Sequence, residues 1–233
     1  MILDFSRKNL FLSFEITDTN EVMMTRFASC REVVERKYKA IWCPIVEVHV
    51  TGENANDHHG AKHTGSSGSR TLRYVTHRYE PNELGNKLEF DLSDGRMDVT
   101  VHYQIYGDIP AVRAWTVVTN RADEPLGLEY VSSFTYTGLD EGEGKRPENL
   151  QIYIPHNGWY KEADWQVYSL SALGFERANN TSTKRIMIAN SGTWSTKEHL
   201  PMVRRSIGTR GAPGCGRSSI TAPGPGRSAT FTP

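Results

Sequence analysis

The chain has 233 residues, of which 37% are hydrophobic and 23% charged, and its 27 basic and 27 acidic side chains cancel. This is the composition of a globular protein with one large domain or two small ones. No apolar run approaches the roughly 18 residues of a spanning helix, and the first residues lack the features of a signal peptide, so we expect a cytoplasmic protein. The three cysteines, Cys30, Cys43 and Cys215, are too scattered for a disulfide framework or a C-x-x-C metal site.

The last 31 residues, 203–233, differ in composition from the rest. They contain five arginines, six glycines, four prolines and no acidic residue, which leaves 22 basic against 27 acidic side chains in residues 1–202. After Val203 the only large apolar residues are Ile207, Ile220 and Phe231. Their burial cannot offset the loss of conformational entropy that ordering the segment would cost. The sequence therefore predicts an acidic body, residues 1–202, and a disordered basic tail.

Runs of β-branched and aromatic residues bounded by turn residues recur along the body and predict short strands. They cover residues 45–50, 72–79, 88–92, 97–106, 111–119, 128–136, 151–154 and 186–189. Helical periodicity is nearly absent, apart from a weak pattern over residues 31–40. Many short strands of this kind predict an all-β fold, a large antiparallel β-sandwich.

Three local predictions follow from the same patterns. In the run 97–106, Val99, Val101, Tyr103 and Ile105 share one face because strand side chains alternate, and the other face is polar. Residues 93–96 predict a short hairpin turn, and the glycine- and serine-rich residues 65–69 a flexible hairpin tip. Trp115 lies inside a strand and is predicted to be in the core.

The densest polar stretch, residues 51–65, lies between two predicted strands and is the first candidate site. His59 and His63 have the i, i+4 spacing of two metal ligands, but Gly60 and its neighbours argue against the helix that this spacing requires. We therefore predict no metal here, and instead a hydrogen-bonding loop that is structural or contacts sugar.

Aromatic residues beside polar ones form the second candidate, at Trp159, Tyr160 and Trp165. The apolar face of a sugar ring packs on an indole while its hydroxyls take polar partners. For Trp159 and Trp165 we place a second interpretation ahead of this one: they fill the core or cap its edge, as most tryptophans of a sandwich do.

Templates for other chemistry do not match. The sequence has no G-x-S-x-G nucleophile elbow, no phosphate-binding loop and no dinucleotide fingerprint after a strand. Glu141 and Glu143 lie in a solvated turn, whereas a catalytic carboxylate needs a pocket that tunes its pKa. The sequence thus predicts no catalytic residues and no cofactor in this chain.

Six phrases, taken in order, resemble the amino-terminal domain of family 36 glycoside hydrolases, the bacterial α-galactosidases. They are VEVHVTGEN (46–54), DHHGAKHTG (57–65), LRYVTHR (72–78), GLEYVSS (127–133), YIPHN (153–157) and GTWSTKEHLPM (192–202). The set covers the chain from about residue 11 to residue 202. The resemblance implies a β-supersandwich, in agreement with the predicted strands.

In the family this domain precedes a (β/α)₈ barrel with two catalytic aspartates, a nucleophile and an acid/base, that act by a retaining mechanism on terminal α-galactosides. No residue here matches those aspartates, so we expect an incomplete amino-terminal domain that is inactive alone. The resemblance implies a homo-oligomer and loops that help to form the galactose pocket. The expected sugar contacts are Asp57, His58, His59, Lys62 and His63, together with Trp159.

Residues 203–233 also fit a shifted reading frame. If one base is missing directly after the Met202 codon, the alternative frame can spell W-Q-I-E-H-N-G, the type of sequence that the family carries after L-P-M-G. We therefore hypothesise out-of-frame translation, which resequencing through that codon tests. A sandwich without its last strands exposes sheet edges, so we also expect poor solubility.

Two alternatives stay open. In the first, the chain is a free-standing carbohydrate-binding sandwich with Trp159, Tyr160 and Trp165 as its platform. In the second, it binds nucleic acid through the arginines of residues 203–233. The last alternative requires steeply salt-dependent binding that is lost on deletion after Met202. We rank it third and expect neither a nucleic acid nor a membrane as partner.

Overall fold

The structure is a computed structural model. It describes residues 1–8, 10–28, 43–53, 67–136, 150–174, 186–188, 196–200, 202–207, 217–221 and 229–231. Within these ranges every strand pair is antiparallel, and the single helix has five residues. The predicted all-β antiparallel class is confirmed. The pattern at residues 31–40 lies outside the described residues.

The elements follow one another along two compact units, formed by residues 1–31 with 40–137 and by residues 32–39 with 138–233. The strands of the first unit are β1 (Ile2–Arg7), β2 (Leu10–Ile16), β3 (Val22–Ala28), β4 (Val48–Val50), β5 (Arg73–Asn82), β6 (Gly85–Ser93), β7 (Met97–Tyr106), β8 (Val112–Asn120) and β9 (Leu128–Val131), with helix α1 (Ser67–Thr71) before β5. Those of the second are β10 (Leu150–His156), β11 (Asp164–Ser169), β12 (Ile186–Ile188), β13 (Met202–Ile207), β14 (Arg217–Thr221) and β15 (Ala229–Phe231).

The first unit is a sandwich of two main sheets. One sheet has the order β1-β2-β3 and the other the order β5-β6-β7-β8, while β4 pairs with β9. Their inner faces meet at aromatic rings, because the centroid of Phe14 on β2 lies 4.8 Å from that of Phe90 and 5.4 Å from that of Tyr103. All three rings are fully buried in one continuous apolar core.

Strand β7 shows why this sequence forms a half-buried strand. Val99, Val101 and Tyr103 are 0% exposed and Ile105 is 2% exposed, all on one face. The opposite face is polar and carries His102, which lies against side chains of the adjacent strands. The predicted alternation is confirmed, as is the turn at residues 93–96 between β6 and β7.

The first sheet has no counterpart among the predicted strands. Strand β2 buries Leu10, Leu12, Phe14 and Ile16 on one face, but Ser13 on the other is buried as well. The apolar residues of β2 nevertheless alternate, so the signal for this strand is present in the sequence and the prediction missed it.

The core position predicted for Trp115 is wrong. Its side chain is half-buried on the polar face of the β5-β6-β7-β8 sheet, where it stacks on His102 with a centroid distance of 4.8 Å and an interplanar angle of 10°. Lys87 and Arg113 lie over the indole at 5.4 and 5.6 Å from its centroid. Trp115 sits on the outer face because its strand neighbours Ala114 and Val118 are the ones that pack against the core.

The second unit contains a sheet in the order β11-β10-β13-β14 and a separate β12-β15 pair. Leu150, Ile152 and Ile154 of β10 alternate and are buried, so the strand predicted at 151–154 is confirmed. Strand β11 pairs with β10 from Asp164 opposite His156 to Ser169 opposite Gln151. This pairing positions the turn that carries Trp159.

Strands β13, β14 and β15 lie within or at the start of the segment predicted to be disordered. β13 pairs with β10 and β14, and β15 pairs with β12. Backbone pairing of this kind does not depend on side-chain composition, which was the basis of the prediction. The rest of residues 203–233 lies outside the described residues, so the disorder and the boundary at residue 202 stay predictions.

Candidate functional site

The predicted sugar-contacting loop emerges next to strand β4. Asp57, His58, His59, Lys62 and His63 lie outside the described residues. The chain enters this loop after Thr51, whose backbone N–H donates to the Gly127 carbonyl at 2.9 Å. It leaves at α1, and both ends of the loop are therefore attached to the first unit.

Residues 67–69 of the predicted flexible tip belong to helix α1, and residues 65 and 66 lie outside the described residues. Ser69 of α1 is 1% exposed, and its Oγ accepts a hydrogen bond of 2.8 Å from the backbone N–H of Val48. The glycine and serine content of residues 65–69 indicated flexibility, but a buried hydroxyl bonded to a core strand holds this end of the loop in place.

An ion-pair group stabilises the entry. Arg96 donates to Glu53 Oε1 at 2.8 Å and to Asp94 Oδ2 at 2.8 Å. Burial acts to raise the pKa of Asp94, but hydrogen bonds from Arg96 and from the backbone of Met97 outweigh it and lower the pKa. The group places two carboxylates beside the loop, with the guanidinium of Arg96 between them.

The aromatic turn, residues 157–165, comprises the connection after β10 and the first two residues of β11, and it displays the second candidate. Trp159 is 76% exposed, Tyr160 88% and Trp165 42%. The two tryptophans therefore do not fill the core, and a role in capping its edge stays a prediction. The rings of Trp159 and Tyr160 meet edge to face with centroids 5.6 Å apart. Tyr160 has a φ of 64°, a conformation that an L-residue with a side chain adopts at an energetic cost.

Polar contacts hold the aromatic turn. Asn157 accepts a hydrogen bond from the backbone N–H of Ala163 at 2.9 Å, and its Nδ2 donates to the Thr196 carbonyl. Lys161 forms an ion pair of 2.8 Å with Asp164. The exposed rings therefore stand on a braced turn, which lowers the entropy cost of binding a ligand to them.

Two histidines lie at the base of the aromatic turn. His156 Nε2 is 2.8 Å from Tyr168 Oη, and the ring centroids of His156 and His199 are 4.9 Å apart. Burial first, and then the neighbouring His156, lowers the pKa of His199. Sequence analysis did not single out His199, because its partner is distant along the chain and only strand pairing brings the two together.

A polar row crosses the outer face of the β5-β6-β7-β8 sheet. Cross-strand register places Arg78, Glu89, His102 and Trp115 opposite one another in turn. Glu89 accepts from Arg78 Nε at 3.0 Å and lies 2.7 Å from His102 Nδ1. Each member of the row contacts a side chain of the adjacent strand, from β5 to β8. We therefore assign the row a structural role.

Of the predicted site residues, the loop belongs to the first unit and Trp159 to the second. Among the described residues, no group of three or more His, Cys, Asp or Glu side chains is placed to hold a metal ion. In the same part of the chain no helix is long and apolar enough to cross a membrane.

No protein-family model matches the sequence, and no curated protein matches it either. Solved structures do match. The GH36 α-galactosidase AgaA of Geobacillus stearothermophilus aligns over 89% of this chain at 13% identity with a TM-score of 0.61. The α-galactosidase of Lactobacillus brevis aligns over 88% at 12% identity with a TM-score of 0.60.

The chain shares the fold of a region of GH36 α-galactosidases. It spans 32% of the length of the AgaA chain and 31% of the L. brevis chain. The resemblance derived from the sequence phrases is therefore confirmed at the level of the fold. A variant of AgaA, matched over 88% of this chain and 31% of its own at 12% identity with a TM-score of 0.59, was solved in complex with raffinose.

Proposed function

We propose that this chain is the amino-terminal β-supersandwich of a GH36-type α-galactosidase. The observation that carries the proposal is the match of about nine-tenths of the chain to one third of such enzymes, together with the six sequence phrases. The whole enzyme would hydrolyse terminal α-galactosides by the retaining mechanism of two aspartates. Raffinose, found with an AgaA variant, is an example of the substrate class.

In this function the chain supplies binding and no chemistry. Asp57, His58, His59, Lys62 and His63 would donate and accept hydrogen bonds to sugar hydroxyls from a loop attached at both ends. Loops on a rigid sheet are the usual place for such contacts. The complete enzyme would be a homo-oligomer, and this chain would need no cofactor of its own.

The first experiment compares galactoside hydrolysis by the isolated chain with hydrolysis by the same chain joined to a catalytic barrel. We expect the chain alone to leave an aryl α-galactoside intact, because the catalytic aspartates are not in it. Joined genetically to the barrel of a GH36 enzyme, it should support galactoside hydrolysis, and changing both His59 and His63 to alanine should raise KM more than it lowers kcat. Hydrolysis by the isolated chain would overturn the proposal.

A second candidate, a carbohydrate-binding module, is favoured by the exposure of Trp159, Tyr160 and Trp165. It predicts that raffinose binds the isolated chain and that Trp159→Ala lowers the affinity about fivefold or more, since an aromatic contact contributes about 1 kcal/mol or more. The matched control is Leu84→Ala, an apolar side chain 58% exposed in the first unit. Calorimetric titration without binding would eliminate this candidate and leave the first intact.

A further inference from the structure

His156 and His199 occupy the kind of strand position at which opposite side chains come closest. The backbone N–H of Asn157 donates to the Glu198 carbonyl at 2.8 Å, and that of Leu200 donates to the Pro155 carbonyl at 3.1 Å. The two histidines lie between these bonds as an antiparallel bridge. They are thus a non-hydrogen-bonded pair, which has the shorter Cα separation and side chains on the same face.

The separation of the rings suits a shared ion. A nitrogen–metal bond of about 2.0–2.1 Å places an imidazole centroid about 3 Å from the metal, so two ligands near a tetrahedral angle have centroids about 5 Å apart. The observed centroid distance is 4.9 Å, with the planes tilted by 53°. The separation of the two rings therefore matches that of two imidazole ligands on one ion.

The side chains around the histidine pair are of the kind that orient metal ligands by hydrogen bonds. Tyr168 Oη lies 2.8 Å from His156 Nε2, which engages that nitrogen and leaves Nδ1 as the ligand atom. Asp164 lies opposite His156 on the other side, in register on β11. Its carboxylate is held by Lys161 at 2.8 Å and adds negative charge beside the pair.

We propose that His156 and His199 chelate one divalent transition-metal ion, with water in the remaining positions. Imidazole nitrogen suits Zn²⁺, Ni²⁺ and Cu²⁺ and not Mg²⁺ or Ca²⁺, which take oxygen ligands. The ion would link residues 196–200 to the end of β10, directly below the aromatic turn. Both histidines belong to the second unit, whereas residues 57–63 are part of the first.

The test is a Zn²⁺ titration of the full chain against a chromophoric chelator. His156→Gln and His199→Gln should each weaken Zn²⁺ binding about tenfold or more, and the double variant should lose no more than either single one, because a chelate needs both rings. Lys161→Met, which releases Asp164, should tighten binding a few-fold. The matched control, His59→Gln with His63→Gln, should leave the affinity unchanged.

Several results would overturn the site. The first is an unchanged Zn²⁺ affinity in both single variants. The second is a partial loss of affinity in each single variant that adds up in the double variant. The third is a loss of affinity only in the control variant with His59→Gln and His63→Gln. Circular dichroism checks that each variant is folded. If a variant does not fold, Cu²⁺ bound to the loop control variant is examined by electron paramagnetic resonance. Coupling to two imidazole nitrogens supports the chelate, and coupling to one or none contradicts it.

Discussion

Tyr103 places a hydroxyl in the middle of the apolar core of the first unit. Its ring contacts Phe14, Phe90 and Phe134, and the side chain is 0% exposed. The hydroxyl has no hydrogen-bond partner among the residues that the structure describes. Burial raises its pKa, so it stays neutral, but an unsatisfied buried hydroxyl costs about 1–3 kcal/mol.

Tyr103→Phe should therefore leave the free energy of unfolding unchanged or raise it by about 1 kcal/mol, because the ring is kept and the unsatisfied group removed. Urea unfolding measures the difference. Tyr74→Phe is the matched control, since the Tyr74 hydroxyl lies 2.7 Å from His77 Nδ1 and its loss should cost about 1 kcal/mol. A cost above about 1 kcal/mol for Tyr103→Phe would show that its hydroxyl has a partner.

Glu89 and His102 make stability depend on pH. Burial acts to raise the pKa of Glu89, but hydrogen bonds from Lys87 and Arg78 outweigh it and lower the pKa from 4.5 to about 2. Burial lowers the pKa of His102, with Glu89 opposing it. Each group takes up its proton less readily in the folded chain than in the unfolded one.

The lowered pKa values of Glu89 and His102 change the free energy of unfolding in the same direction as the pH falls. The unfolded chain binds more protons, so the free energy of unfolding falls as the pH drops through the ordinary pKa of histidine and then between 4.5 and about 2. Glu89→Gln should lower stability at pH 7 by about 1–2 kcal/mol and flatten the loss below pH 4.5. Urea unfolding at a series of pH values measures both. Glu80→Gln, an exposed position on β5, should change neither, and an unaltered acid limb in Glu89→Gln would contradict the assignment.

At the scale of elements, the hairpin between β5 and β6 depends on Gly85. Its φ is 141°, and a Cβ added there would lie 2.3 Å from the Ile105 carbonyl oxygen and 2.6 Å from the Gly107 nitrogen. These are backbone atoms of β7 and its turn, which cannot move without disrupting the ladder. The hairpin therefore requires glycine for space as well as for conformation.

Gly85→Ala should destabilise the chain by about 2–4 kcal/mol, because both the conformation and the contact are unfavourable. Gly95→Ala is the matched control, since its φ is 85° but nothing lies within 4 Å of the added Cβ. The control should cost about 1 kcal/mol. Thermal unfolding compares the two, and equal losses would refute the role assigned to the contact with β7.

Strand prediction depended on alternating apolar residues between turn residues. This pattern located β7 and β10. The buried residues of β2, Leu10, Leu12, Phe14 and Ile16, alternate in the same way, so the signal for β2 is present in the sequence although the strand was not predicted. β11 is exposed along most of its length, so burial imposes no such pattern on it.

At the scale of the whole molecule, the apolar core cluster draws all its members from the first unit. We expect a chain cut back to residues 1–137 to keep a cooperative thermal transition, because every described member of the core cluster lies within it. Thermal unfolding measures the transition, and its loss in the shortened chain would contradict this expectation.

The sequence by itself determined the antiparallel all-β class, the alternation of β7, the turn at residues 93–96 and the resemblance to GH36 α-galactosidases. These depend on local periodicity, on turn residues and on phrases in order, all of which are present in a linear chain. Only the tertiary structure decided that Trp115 is stacked on the outer face, that Trp159 is exposed and that His156 meets His199. Those outcomes depend on which segment packs across each residue, because burial and strand pairing are set by neighbours that are distant along the chain.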